Sequence, residues 1–170
     1  MNALNDQFTA AGVAITELAP TARISLRLAD PAAAPFALPA KVGGRSEDEA
    51  RTALCLGPDE WLIETPEAER DATLAALGAA PGPLSAVEVS DREITYRLEG
   101  PAVLDLLAAG CPLDLARMPT GSGTRTVFDT AQVVLTREAD DRFHLTVWRS
   151  FAPHVRAILD LATRELAAGL

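Results

Sequence analysis

The run AQVVLTREADDRFHLTVWRSFAPHVRAIL, Ala131 to Leu159, constrains the fold more than any other part of the chain, and its organising reach extends from Arg125 to Leu161. Its apolar period changes part-way along, from two residues to about 3.6. Ala131 to Leu135 is an apolar, β-branched run, and Glu138 to Asp141 is a polar turn. Phe143, Leu145 and Val147 then alternate with His144, Thr146 and Trp148, the pattern of a half-buried strand. Ser150 stands where an N-cap belongs, and Pro153 falls in the first helical turn, where its missing N–H costs little. Val155, Ile158, Leu159, Ala162 and Leu166 follow at helical spacing, while His154, Arg156, Asp160 and Arg164 point elsewhere. A hairpin therefore feeds an amphipathic helix that must lie on the hairpin's apolar face.

The same pattern occurs earlier. Thr52 to Leu56 and Trp61 to Glu64 read as strands around the turn Gly57-Pro58-Asp59. Thr65 reads as an N-cap with Pro66 first in a helix, Leu74 and Leu77 lie on its apolar face, and Gly78 ends it. Two hairpin–helix units predict an α+β sandwich of two similar halves, roughly residues 20–90 and 91–170 of one 170-residue domain. Strands are also predicted at Arg23 to Leu28, Ala86 to Val89 and Ile94 to Leu98, and a helix after Gly100-Pro101 that Gly110 closes. Residues 1–20 are weakly patterned, a short helix or an arm. Pro31, Pro35, Pro39 and Gly43-Gly44 deny regular structure to the segment from Asp30 to Arg45 and predict a loop that is mobile when the chain is alone. A second loop is predicted at ARMPTGSGT, residues 116–124.

Charge and composition narrow the function. The formal charge of −9, with a single lysine at Lys41 and scattered arginines, argues against nucleic acid. No apolar run reaches the ~20 residues of a membrane span, and the N-terminus lacks a basic region. These features point to a cytoplasmic protein. Cys55 and Cys111 sit among apolar neighbours and read as buried free thiols. His144 and His154 lack a second ligand at metal spacing. Gly121 to Thr124 lacks the lysine and the strand-to-helix order of a phosphate loop, and Ser150 lacks a nucleophile elbow. No catalytic, cofactor-binding or metal-binding residue is assigned. Trp148 points away from the face the helix covers; it packs within the chain or contacts a partner.

Four stretches resemble one family: CLGPDEWLIE from Cys55, VEVSDREITYRLEGPAVLDLLAAGCPLDL from Val87, RTVFDTAQVVL from Arg125 and FHLTVWRSFAPHVRAIL from Phe143. They are similar to the gamma subunit of heterotetrameric sarcosine oxidase, over about two-thirds of the chain, with GCPLDL and RSFAP the most specific strings. The likeness to the folate-binding domain of the glycine-cleavage aminomethyltransferase is more distant. The resemblance implies two ferredoxin-like halves and a place beside alpha, beta and delta subunits. It implies a complex that oxidatively demethylates sarcosine to glycine and passes the one-carbon unit to tetrahydrofolate. FAD, FMN, NAD and tetrahydrofolate belong to that complex, and none to this chain. His154 and Arg156 depart from the family, which tends to be aromatic there, and the departure touches the partner surface of this helix, not the fold; Trp148, His154 and Arg156 are the candidate partner contacts. The alternatives are the third subunit of N-methylglutamate dehydrogenase and a stand-alone folate-binding or aminomethyltransferase-like protein. The K-G-C-Y-x-G-Q-E motif of the related iron–sulfur maintenance factors is absent.

Overall fold

A computed structural model describes residues 11–169. The helix or arm expected in residues 1–20 therefore lies partly outside the described residues; Ala14–Glu17 is a strand, β1. The chain forms two compact units: residues 19–92 with 122–124, and the remaining described residues.

The first unit contains β2 (Ala22–Leu28), β3 (Arg45–Glu47), β4 (Thr52–Gly57), β5 (Glu60–Thr65), α1 (Arg70–Gly78) and β6 (Leu84–Glu88). Its sheet runs β3-β4-β5-β2-β6. Ile24, Leu26 and Leu28 alternate along β2 and meet Trp61 and Ile63 of β5, Ala53 and Cys55 of β4, and Leu77 of α1. The opposite face carries Arg23, buried and held 2.7 Å from the Glu64 carboxylate.

The second unit contains β1, β7 (Glu93–Glu99), α2 (Val103–Ala108), β8 (Gly123–Phe128, all but its first two residues), β9 (Ala131–Ala139), β10 (Arg142–Trp148) and α3 (Ala152–Ala167). Its sheet runs β1-β7-β10-β9-β8. Tyr96, Leu98, Phe143, Leu145, Val147, Val133 and Leu135 present one apolar face. Val155, Leu159 and Ala162 of α3 and Leu106 and Leu107 of α2 bury against it. Both sheets thus have the ferredoxin-like order, with one added edge strand each. In the first unit the fourth strand, β6, follows α1. In the second that place beside β7 is taken by β1, from the start of the chain. The α2 position of the second unit corresponds to the proline-rich segment of the first.

Several local expectations are corrected. Ser150 does not cap α3; Phe151 is the cap residue, without a side-chain bond, because the chain leaves β10 through a turn closed by Phe151 N–H donating to Trp148 O at 2.8 Å. Thr65 does not cap α1. It completes β5, its hydroxyl donates to Ala50 O at 2.8 Å, and a short 3-10 turn at Glu67–Glu69 comes before the helix. The proline-rich segment is tied down instead of loose. The Trp61 Nε1–H donates to Pro39 O, the Ser46 hydroxyl to Ala37 O, and Gly43 N–H to Cys55 O. Phe36 and Leu38 pack on the core. The segment also holds a 3-10 turn at Pro31–Ala33, and β3 begins at Arg45. The loop predicted at residues 116–124 gives way to β8 at Gly123, and the Arg137 guanidinium holds it by donating to Met118 O at 2.7 Å.

Cys55 and Cys111 are buried free thiols, and burial pushes the Cys55 thiol above its usual range. One buried hydroxyl is unsatisfied: Thr73 Oγ1, on α1, has no hydrogen-bond partner among the described residues. Thr73→Val keeps the shape and removes that polar group, so the variant should be more stable by ~1 kcal/mol in a denaturant melt.

Candidate functional site

The sequence candidates all lie where β10 turns into α3. Trp148 ends β10 opposite Glu93 of β7, in phase with Thr146 and His144 on the sheet face away from the helices. It is 43% exposed, so it is not a core residue; the interior tryptophan is Trp61, at 1%. Phe151, just before α3, is 45% exposed. The sequence does not single it out, because Ser150 reads as the cap and so places Phe151 inside the helix. An aromatic at the true start of a helix, outside the apolar stripe, is the signal that finds it.

His154 is fixed to a different element. Its Nε2 lies 2.8 Å from Asp129 Oδ2, in the turn between β8 and β9. Asp129 has φ 54°, the one left-handed non-glycine among the described residues. Aspartate tolerates that conformation better than most residues. Its N–H donates to Gly110 O at 2.8 Å, and the Thr130 hydroxyl donates to its carboxylate at 3.0 Å. The hydrogen bond with His154, and then those from Thr130, hold the Asp129 carboxyl below its usual range. Arg156 lies along α3, with its Nε–H donating to Asp160 at 2.9 Å and its guanidinium 5.9 Å from the centre of the Tyr96 ring. The structure therefore does not gather Trp148, His154 and Arg156 into one cluster.

The His154–Asp129–Thr130 group has the residue types of a hydrolytic triad but not its geometry. The threonine hydroxyl donates to the aspartate and lies 3.5 Å from the imidazole, and the group is exposed. It ties the β8–β9 turn to α3. Among the described residues, no group of three His, Cys, Asp or Glu side chains could hold a metal ion. The glycines at 121 and 123 feed strand β8, not a helix N-terminus, so they do not form a dinucleotide cradle. Among the described residues no helix is long and apolar enough to cross a membrane.

Comparison with known proteins gives this geometry its context. Residues 28–165 match the model of the sarcosine oxidase, gamma subunit family. The sarcosine oxidase subunit gamma of Corynebacterium sp. (strain U-96) is 32% identical over 169 residues, covering 92% of this chain and 82% of that protein. A chain of the heterotetrameric sarcosine oxidase from Corynebacterium sp. U-96, solved in complex with pyrrole 2-carboxylate, superposes with a TM-score of 0.83 at 28% identity, over 96% of this chain and 93% of that one. The glycine cleavage system aminomethyltransferase T from Bartonella henselae shares the fold at a TM-score of 0.66 and 17% identity, over 98% of this chain and 54% of that one. With a family model spanning most of the chain and a relative of that identity matched nearly end to end, the chain belongs to the sarcosine oxidase gamma subunit family.

Proposed function

We propose that this chain is a non-catalytic subunit of a cytoplasmic, heterotetrameric, flavin-dependent sarcosine oxidase, assembled with alpha, beta and delta subunits. The observation that supports the reading is the near end-to-end likeness, 96% of one chain on 93% of the other, to a chain of a heterotetrameric sarcosine oxidase. In the complex, sarcosine is oxidatively demethylated to glycine and the one-carbon unit passes to tetrahydrofolate. FAD, FMN and NAD supply the redox chemistry from the other subunits. The antiparallel strand pairs of this chain and the strand that follows its glycine-rich segment support placing those sites elsewhere. The contribution of this chain is then structural, through its surface.

The isolated chain should be colourless and should release no peroxide from sarcosine, whereas co-expression of all four subunits should give a flavin-loaded oxidase. A stoichiometric flavin spectrum from the isolated chain would overturn the reading. Trp148, His154 and Arg156 remain the proposed partner contacts, and their sites make different demands. Trp148 carries the largest exposed apolar surface of the three, so it is the residue tested first. Trp148→Ala should leave the melt of the isolated chain within ~0.5 kcal/mol of wild type and weaken assembly by ~2 kcal/mol. A large drop in the melt midpoint would show that the ring supports the fold instead.

A further inference from the structure

The edge strand β6 (Leu84–Glu88) is an open pairing edge among the described residues. It ends the sheet of the first unit, with β2 on one side only. Val89 N–H donates to Arg23 O, directly opposite it in the register, so the inward bonds of this pair fall at residues 85, 87 and 89. The N–H and C=O groups of Leu84, Ala86 and Glu88 therefore point outward, where the described chain supplies no strand.

Exposed edges usually carry a protective device: short length, a charged residue, a proline or a bulge. The other three edges fit that rule. β3 has three residues and two of them are charged, β1 has four and ends in Glu17, and β8 carries Arg125 near its middle. β6 reads Leu-Ser-Ala-Val-Glu, with no proline and no basic residue, and its only charge is at the last position. The carboxylate of that residue, Glu88, is turned back to accept from Ser90 N–H at 2.9 Å. Val87, on the face away from α1, is 53% exposed. An outward row of backbone groups beside an exposed valine is what an added strand requires: main-chain bonds for affinity and alternate side chains for register.

We propose that β6 receives an extended segment of one of the other oxidase subunits, which adds a sixth strand beside it and covers Val87 with an apolar side chain. This rests on the reading that the chain works inside a heterotetramer. The occupant must be extended backbone, because the groups it satisfies are N–H and C=O at strand spacing. A helix or a globular apolar pocket would leave them unpaired.

The test compares amide hydrogen exchange in the isolated full chain and in the co-expressed four-subunit complex. The outward amides of Leu84, Ala86 and Glu88 should exchange at least about tenfold more slowly in the complex. The inward amides of Ser85 and Val87 should be protected in both. Ala86→Pro provides the second arm: it removes an outward donor at an edge position where proline is tolerated, and leaves the bonds to β2 in place. It should lower recovery of the complex at least about tenfold while the isolated variant keeps its melt midpoint. Failure of the wild-type subunits to co-purify would overturn the heterotetramer reading itself. Co-purification with unchanged exchange at Leu84, Ala86 and Glu88 would overturn the strand-addition proposal alone. Slowed exchange in the isolated chain as its concentration rises would point to a second copy of this chain as the occupant, and would equally overturn it.

Discussion

Replacing Gly100 by alanine should cost the second unit at least ~3 kcal/mol, enough to leave much of the protein unfolded at moderate denaturant. Gly100 follows β7 and turns the chain toward α2 with φ 137°, a region that side-chain-bearing residues rarely enter. A Cβ there would strike the carbonyl oxygen of Gly12 and come within 3.0 Å of Val13 Cα. Both obstacles are backbone just ahead of β1, so no side-chain rotation relieves them. The turn is further fixed by Gly100 N–H donating to Asp141 O at 2.9 Å and by Ala102 N–H donating to Gly12 O at 3.2 Å. Gly78, which ends α1, is the control: an added Cβ there meets nothing within 4 Å. Gly78→Ala should therefore stay within ~1 kcal/mol of wild type. Equal denaturant midpoints for Gly100→Ala and wild type would show that the β7–α2 corner is not held as described.

Trp61→Ala should have the other large effect, a loss of ~3–5 kcal/mol. The ring is fully buried among Ile24, Leu26, Ala53, Cys55 and Ile63 in the core of the first unit. Its indole N–H also donates to Pro39 O at 2.9 Å, which ties the proline-rich segment to the sheet. Truncation thus opens a cavity and releases the segment. Amide exchange at Gly43 and Cys55, which anchor the end of that segment, should quicken with it. Trp61→Phe keeps most of the buried area and loses the donor, so its cost should be ~1–2 kcal/mol, leaving Pro39 O to find water. A midpoint for Trp61→Ala close to wild type would contradict the placement of this ring.

The two tryptophans show what the sequence makes legible. Trp61 is second in β5 and Trp148 last in β10, and strand phase separates them. Trp61 is in step with Ile63 on the helix-covered face, whereas Trp148 is in step with Thr146 and His144 on the other. Phase was readable from the residues; what lies over the second face was not. Hairpins and amphipathic helices were legible for the same reason, since β4–β5, β9–β10 and α3 each repeat their period several times. β1 and β3 escaped because three or four residues carry too little period to register, and β8 because its glycine-rich start reads as a loop. The caps were misread because turn closure by backbone bonds, as between Phe151 and Trp148, overrode side-chain preference. The bond between His154 and Asp129 joins residues 25 apart and follows only from the placement of the β8–β9 turn beside α3.

The most direct measurement is the native mass and subunit composition of material purified through a tag on this chain after co-expression with the proposed alpha, beta and delta partners. The expected result is a single species containing all four polypeptides in equal amounts, carrying flavin and oxidising sarcosine. Recovery of this chain alone, with an active oxidase of the other three left in the flow-through, would contradict its role as a subunit of the enzyme.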